Sequence, residues 1–283
     1  MINHIRGIQE DSIVVIICWY GEYPWYFLYF LHSCKYNPTV DFLIFTDNKD
    51  VIPNKPDNVR IVYKTLEEVS RLASRKLNFK VKIDYPYKLC DFKPAYGLIF
   101  TDYIQNYHFW GHGDLDVIFG NIRKFITKQI LDKYDLICVR HDFLTGYFTL
   151  FRNSSSLNTL FRQSKDYRKV FTSQKHFCFD ETNFSFIGFK DGLHFTQVEC
   201  EIESMTHVVK RLDEEKKIKA YFDFHVIEGT PGKLRWENGK LTYKKVYEVM
   251  LYHLIKLKTI YSPITIPGKL PEKFCISPTR IYF

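Results

Sequence analysis

The chain has 283 residues, of which 46% are hydrophobic, so it can bury a large core. No segment rich in Pro, Gly or Ser and no internal repeat divides it, which excludes a solenoid or propeller and favours one domain. The formal net charge of +8 indicates an anionic partner, but charge alone fits a nucleotide diphosphate, nucleic acid or an acidic lipid equally.

Strands alternate with helices in the first third of the chain. A continuous β-branched run over residues 12–19 predicts a strand that is buried on both faces, as in a parallel sheet. Hydrophobic periodicity then predicts a helix over 25–34, strands over 40–46 and 59–63, and a helix over 66–77.

The middle of the chain continues the alternation. The pattern predicts a helix over 95–100, strands over 107–110, 134–139 and 147–151, and a helix over 157–163. The aromatic residues within 145–153 are interpreted as core, with the acceptor-side wall of a binding site as the alternative.

Short strands dominate the last third of the predicted structure. They are expected over 184–189 and 220–224, and a hairpin over 233–243 closes at Asn238 and Gly239. Residues 246–258 form either a strand or a helix. The whole order predicts an α/β layer fold with an antiparallel appendage.

Two aspartates stand one residue apart after the strand predicted over 107–110. Residues i and i+2 of an extended chain face the same side, so Asp114 and Asp116 can approach one hard cation, Mn²⁺ or Mg²⁺, that also needs diphosphate oxygens. A polar strand end is the competing interpretation of such a short motif. The flanking glycines, together with distant His and Lys residues, favour the metal.

The last apolar segment before a Pro-rich tail carries His253, Lys256 and Lys258. An imidazole can complete a site for Mn²⁺, and either lysine can hold phosphate oxygens as a point charge. The alternative is a histidine at the edge of the core with two solvated lysines. The coincidence with the aspartate pair favours the functional interpretation.

Two further pairs of charged residues are candidates. Asp91 and Lys93 stand at a predicted helix start, where they could bind sugar hydroxyls and phosphate, or serve as a plain N-cap and a surface residue. Asp180 and Glu181 lie between aromatic residues, which would raise the pKa of a carboxylate toward that of a useful base. Their side chains are expected on opposite sides of an extended chain, so at most one acts as the base, and helix capping by Asp180 is the alternative.

The seven cysteines and the N-terminal segment indicate where in the cell the protein is expected. The cysteine count is odd, without a C-x-x-C pair, which predicts reduced core residues of a cytoplasmic protein. No secretory signal pattern is present, and the hydrophobic run over 13–20 is too short to cross a bilayer. Any membrane contact is therefore expected to be peripheral, at the inner face of the cell membrane.

Two segments together carry a family resemblance. Residues 90–97 and 109–120 resemble the core of GT-A glycosyltransferases, and especially small bacterial glycosyltransferase-like proteins of polysaccharide and capsule gene clusters. The resemblance implies a Rossmann-like α/β fold in which helices flank a mixed central sheet. It also implies a single catalytic domain with a nucleotide-binding half over 1–110, an acceptor half over 111–245 and a closing segment over 246–283.

The resemblance also implies roles for particular residues. Asp114 and Asp116 would bind the metal and the ribose or diphosphate, with His253 completing the metal site. The remaining donor-binding residues would be Tyr20, Gly21, Asp47, Asp91, Lys93, Lys256 and Lys258. The base would be Asp180 or Glu181.

The expected function is metal-dependent transfer of a hexose from a UDP-sugar, of the galactose type, to a glycan or lipid-linked glycan in bacterial surface polysaccharide synthesis. One alternative is a sugar nucleotidyltransferase, but the turn over residues 18–24 has a single glycine where a phosphate-binding loop would have several. Another is a basic nucleic-acid-binding protein, but the aromatic residues are not interleaved with the lysines. No nucleic acid partner is expected.

Overall fold

The computed structural model describes residues 11–265 and 267–283 as strands and helices in alternation. The strands are β1 (Ile13–Cys18), β2 (Val40–Thr46), β3 (Val59–Tyr63), β4 (Phe109–Gly113), β5 (Val117–Phe119), β6 (Leu136–Cys138), β7 (Phe148–Arg152), β8 (Ala220–Phe222), β9 (Val226–Glu228), β10 (Leu234–Glu237), β11 (Lys240–Tyr243), β12 (Tyr247–Val249), β13 (Leu251–His253), β14 (Lys273–Ile276) and β15 (Ile281–Tyr282).

The helices are mostly short. The α-helices are α1 (Phe27–Lys35), α2 (Leu66–Leu77), α3 (Tyr96–Ile99), α4 (Thr101–Ile104), α5 (Ile122–Phe125), α6 (Lys128–Lys133), α7 (Ser155–Asn158), α8 (Tyr167–Thr172), α9 (Phe186–Lys190), α10 (Met205–Glu214) and α11 (Leu257–Ile260). Segments of 3₁₀ helix cover Pro86–Ala95, Leu160–Gln163 and Phe195–Gln197.

Seven strands form the central sheet, in the order β3-β2-β1-β4-β7-β6-β8. All are parallel except β7, which runs antiparallel to both β4 and β6. Strand β1 is buried on both faces because Val14 and Ile16 point into one hydrophobic cluster, whereas Ile13, Val15 and Ile17 point into the other. The predicted fold class, α/β with a mixed sheet between helices, is confirmed.

The strand order has a switch point between β1 and β4. In the central sheet, β2 and β3 lie on one side of this pair, whereas β7, β6 and β8 lie on the other. The strands β1 and β4 are parallel, so their carboxyl ends meet at the same edge of the sheet. Ligands of open α/β sheets bind in the crevice outside such an edge. Because β7 runs the other way, its first residues lie at this edge as well.

Two smaller sheets complete the structure. The predicted antiparallel appendage is a five-stranded sheet, β12-β11-β10-β14-β15, and its β10-β11 hairpin turns at Asn238 and Gly239 as expected. A three-stranded sheet, β5-β13-β9, pairs His253 with Val117 on one side and with Glu228 on the other. This register brings His253 beside Asp116, the residue before β5.

The predicted elements differ from the structure at several points. The bounds of β2, β3 and α2 agree with the prediction, but the strand predicted over 184–189 is wrong, because the chain forms α9 there and ends it near Gly192, whose φ is +77°. The helix predicted over 95–100 is mostly α3, preceded by a 3₁₀ segment. The segment 246–258 contains β12, β13 and the start of α11.

A buried ion pair joins the 3₁₀ segment Pro86–Ala95 to the chain before α9. Lys88 Nζ donates to Asp91 Oδ2 at 2.8 Å and to the carbonyls of Val170 and Lys175 at 2.9 and 2.6 Å. Three acceptors match the three donors of an ammonium group, and both side chains are fully buried.

The same carboxylate organises the loop that follows. Asp91 accepts hydrogen bonds from the backbone N–H groups of Phe177, at 3.0 Å, and Phe179, at 2.9 Å. Burial alone would raise the pKa of Asp91, but His176 and Lys88 hold it below its usual range. The ion pair therefore fixes two segments that are more than 80 residues apart in the sequence.

No helix in the part of the chain that the structure describes is long and apolar enough to cross a membrane. The seven cysteines, all at described positions, are free thiols.

We expect Asp91→Ala to lower the free energy of unfolding by about 3–5 kcal/mol, because it leaves the Lys88 ammonium buried without a counter-charge. The control is Asp102→Ala, which removes the exposed ion pair with Lys76 and should cost less than about 1 kcal/mol. Urea denaturation followed by circular dichroism measures both. Equal losses in the two variants would contradict a special role for Asp91.

Candidate active site

A cavity of about 730 Å³ opens at the carboxyl ends of β1 and β4. Its walls include most of the charged residues that the sequence singled out. They are Lys93, Asp114, Asp116, Asp180, Glu181, His253, Lys256 and Lys258, together with Tyr20 after β1.

The two aspartates of the central motif both line the cavity, but they do not lie in an extended strand. Residues 114–116 form a bend between β4 and β5, which corrects the expectation that strand geometry aligns the two carboxylates. Asp114 is partly exposed, and its Oδ1 lies 2.7 Å from Lys93 Nζ. Asp116 is buried and has different partners, so each carboxylate has its own cationic neighbour.

Asp116 is the first of a series of side chains with alternating negative and positive charge. Its Oδ2 accepts a hydrogen bond from Lys258 Nζ at 2.6 Å and lies 3.2 Å from His253 Nε2. The other imidazole nitrogen, Nδ1, lies 3.3 Å from Glu228 Oε1. The second oxygen of Glu228 pairs with Arg140.

These contacts shift the pKa values of both central groups. Burial would raise the pKa of Asp116, but the hydrogen bond and charge of His253 and the charge of Lys258 hold it below its usual range. Burial would lower the pKa of His253, but its hydrogen bonds to Asp116 and Glu228 raise it to about 9. The ring is thus fixed in orientation from both nitrogens.

A second charged cluster surrounds Gly146, which precedes β7. A Cβ added there would lie 2.5 Å from Asp180 Oδ2, 3.2 Å from Lys93 Nζ and 3.3 Å from Glu181 Oε1. The backbone N–H of Gly146 also donates to Glu181 Oε1 at 2.6 Å. Only a residue without a side chain leaves room for this convergence.

Asp180 and Glu181 both face the cavity, contrary to the expectation that they point to opposite sides. They lie in a turn, not in an extended chain, and the backbone N–H groups of Met205 and Thr206 at the start of α10 bind the carbonyls of Phe179 and Glu181. Burial raises the pKa of Asp180 well above its usual range and also raises the pKa of Glu181.

Lys93 lies between Asp114 and the cluster around Gly146. Its Nζ lies 2.7 Å from Asp114 and 3.7 Å from Asp180. Burial would lower its pKa, but the charge of Asp114 and of its other neighbours holds that pKa well above the usual range. The lysine is therefore a cation held between two carboxylates.

The β1 end of the cavity is more apolar. Tyr20 lines it, and its buried hydroxyl has no hydrogen-bond partner among the described residues. Asp47 Oδ1 accepts a hydrogen bond from the backbone N–H of Gly21 at 2.9 Å, so it holds the turn after β1. Gly21 has a φ of +89°, which favours glycine at this position.

Asp91 lies outside the cavity wall. Its carboxylate is the buried partner of Lys88 described above, with no exposed surface for a ligand. Its contribution is to hold the segment that carries Lys93.

Sequence reasoning did not identify Glu228, Arg140 or Gly146. No local motif marks Glu228, because its contact with His253 depends on the parallel pairing of β9 with β13. Gly146 lay in a segment interpreted mainly as core. The core interpretation is right for β7 itself, since Phe148, Leu150 and Phe151 are buried.

The residues present fit a divalent metal in part. Across residues 11–265 and 267–283, no group of three or more His, Cys, Asp or Glu side chains is arranged to hold a metal by itself. Asp116 and His253 nevertheless present an oxygen and a nitrogen toward each other, a donor pair that suits Mn²⁺. Glu228 supplies the carboxylate partner that metal-binding histidines usually have.

The fold and site define an α/β protein with a charged cavity at the carboxyl edge of its sheet. The chain belongs to the family of unknown function DUF6625, whose model matches residues 15–283. A search of curated proteins found no similar sequence.

Among solved structures, the chain is similar to the galactosyltransferase LgtC in complex with donor and acceptor sugar analogues. That match has 9% identity and a TM-score of 0.37, and it covers 57% of this chain and 66% of LgtC. An active-site mutant of LgtC matches with 9% identity and a TM-score of 0.35, over 70% of this chain and 69% of that one. Similarity at this level does not establish an activity for this chain.

We expect Mn²⁺ to bind at Asp116 and His253, and Glu228→Gln to weaken that binding by about 10- to 100-fold, because a neutral amide orients the His253 ring less firmly. Electron paramagnetic resonance of free Mn²⁺ measures the affinity directly. The control is Glu237→Gln, which changes a half-exposed ion pair with Arg235 on β10. Unchanged affinity in the Glu228 variant would show that the imidazole needs no such partner.

Proposed function

We propose that this protein is a metal-dependent glycosyltransferase of the GT-A type, which transfers a hexose from a UDP-sugar to a glycan acceptor. The supporting observation is that one cavity is lined by Asp114, Asp116 and His253, by the lysines Lys93, Lys256 and Lys258, and by the carboxylates of Asp180 and Glu181. A diphosphate donor needs cationic groups at one end of its site and hydrogen-bond acceptors for the sugar at the other.

Binding of the donor is assigned to the residues nearest β1 and β4. Tyr20 and the turn at Gly21, held by Asp47, would frame the nucleotide base. Lys256 and Lys258 would bind diphosphate oxygens, because a lysine binds phosphate as a point charge. These lysines lie on the segment that follows β13, which is the closing segment of the proposed single domain.

The metal site is assigned to Asp116 and His253, with Asp114 and the diphosphate as further ligands. Mn²⁺ or Mg²⁺ there would neutralise the charge that develops on the diphosphate as the glycosidic bond breaks. Lys93, buried between Asp114 and Asp180, contributes a permanent positive charge on the same side of the sugar.

In the reaction, the bond between the anomeric carbon and the UDP oxygen breaks, and UDP leaves with the electron pair. The acceptor hydroxyl oxygen forms the new bond to that carbon and loses its proton to a base. Asp180 or Glu181 supplies the base, because burial raises the pKa of each carboxyl group and makes its ionised form a stronger proton acceptor.

The finer parts of the proposal concern the biological setting. The donor is of the UDP-galactose type, and the acceptor is a glycan or lipid-linked glycan of bacterial surface polysaccharide synthesis, including capsule or lipopolysaccharide. The protein would work in the cytoplasm at the inner face of the membrane, and its net charge of +8 supports attraction to anionic headgroups.

A hydrolysis screen of UDP-sugars with Mn²⁺ tests the function. We expect one donor to be turned over, and Asp116→Ala to abolish that turnover, because it removes a charged metal ligand and leaves His253 and Lys258 without their shared carboxylate. The matched control, Asp132→Ala, removes an exposed carboxylate on α6 and should retain full activity. Equal turnover by the Asp116 variant, or no turnover of any UDP-sugar, would refute the proposal.

Gly146→Ala tests the second cluster. The added methyl group would displace Asp180 and Glu181, and a displacement of about 1 Å can cost about a hundredfold in rate. We therefore expect kcat to fall by about this factor while the circular dichroism spectrum is retained. Gly268→Ala is the control, since a Cβ there would contact nothing within 4 Å. A fully active Gly146 variant would show that the cluster is not part of the reaction site.

A further inference from the structure

Three aromatic rings, Tyr87, His176 and Phe184, form a continuous row at the mouth of the cavity, here called the aromatic row. The ring centroids of Tyr87 and His176 are 4.7 Å apart, and those of His176 and Phe184 are 5.6 Å apart. Both pairs meet edge to face, at 67° and 83°. The rings therefore present both faces and edges along one line.

The two outer rings are unusually accessible. Tyr87 is 64% exposed and Phe184 is 56% exposed, whereas only six other Phe, Tyr or Trp side chains among the described residues are exposed. Tyr87 and His176 also line the cavity that contains Asp180 and Glu181. The row thus begins beside the proposed base and leads outward.

The row is held rigidly. His176 Nδ1 lies 3.2 Å from Asp91 Oδ1, so the central ring sits against the buried ion pair of Lys88 and Asp91. Asn183 and Phe184 both have positive φ values, +54° and +66°. A bulky residue in this conformation costs about 1–3 kcal/mol, which natural proteins tolerate mainly where a side chain must point in a set direction.

The outer end of the row borders a second, shallow depression of about 420 Å³. Phe184 forms part of its wall, and the other wall residues are mostly polar or charged. They are Lys175, Asn183, Ser185, Glu199, Cys200 and Glu201. A path with hydrogen-bonding groups at both ends and aromatic rings between them suits a chain of several sugar rings.

We propose that the aromatic row is the binding site for an oligosaccharide acceptor, with pyranose rings packed on Tyr87 and Phe184. The proposal rests on the glycosyltransferase function, since it places the acceptor end next to Asp180 and Glu181. Pyranose rings have apolar faces that pack on aromatic rings, and their hydroxyls can bond to the polar groups of the shallow depression. Residues 145–153, the other segment considered for an acceptor wall, contribute Gly146 and Tyr147 to the cavity, whereas strand β7 itself is core.

A glycan fits this surface better than a membrane does. The basic Lys175 of the depression is paired with Glu201, and Glu199 adds a further negative charge, so the surface around Phe184 has no excess of basic residues. Adsorption to anionic lipid would depend on such an excess.

The test compares Tyr87→Ala and Phe184→Ala with the wild-type chain by isothermal titration calorimetry. The probes are cellohexaose, maltohexaose and chitohexaose, each added in the presence of UDP and Mn²⁺. We expect the wild-type chain to bind at least one of them, and each variant to bind it about tenfold more weakly, which corresponds to the loss of one aromatic contact. UDP affinity should be unchanged, because neither ring is assigned to the donor.

Tyr247→Ala and Phe283→Ala serve as matched controls, since these rings are similarly exposed and lie outside the cavity wall. The proposal is overturned if no hexasaccharide binds, if the controls weaken binding as much as the two variants, or if the variants lose only affinity for phosphatidylglycerol vesicles. If the wild-type chain does not bind UDP, the glycosyltransferase function is contradicted. Glycan binding that is weakened by Tyr87→Ala and Phe184→Ala would still establish the aromatic row as a glycan site.

Discussion

The buried ion pair between Lys88 and Asp91 is the constraint on which the rest of the site depends. Neither residue lines the cavity. The 3₁₀ segment that contains them also carries Lys93, however, and the loop that Asp91 binds continues directly into Asp180. A fully buried charge of either sign is tolerated only when its partners are complete. The ammonium has three acceptors, so the two segments can meet in only one arrangement.

The cavity extends the same principle from one pair to a network. Asp114, Asp116 and Asp180 each lie beside a lysine, and Lys93 lies beside both Asp114 and Asp180. Such an arrangement lowers the cost of burying charge while keeping strong fields close to an open surface. A charged ligand would therefore enter a site whose charged groups are already held in place.

Much of the central sheet could be predicted because its strands are long, β-branched and buried, and α2 carries a complete capping box. Short apolar runs were harder to assign to a helix or a strand. Residues 184–189 have no clear hydrophobic period, and only Gly192, shortly after them, indicates the end of a helix. Helix α10 was missed although its apolar residues recur at helical spacing. Sequence motifs indicated that Asp116 and His253 lie in one site. The contact of Glu228 with His253 could not be predicted, because it depends on the pairing of β9 with β13, which no local sequence pattern encodes.

The pairing of β13 with β5 and β9 has a consequence for biosynthesis. Asp116 is translated before its counter-charges, His253 and Lys258, which follow 137 and 142 residues later. Until the ribosome has passed His253, that carboxylate has neither partner and the three-stranded sheet lacks its middle strand. All strands of the central sheet, the last of which ends at Phe222, are therefore translated before the contacts of Asp116 can form.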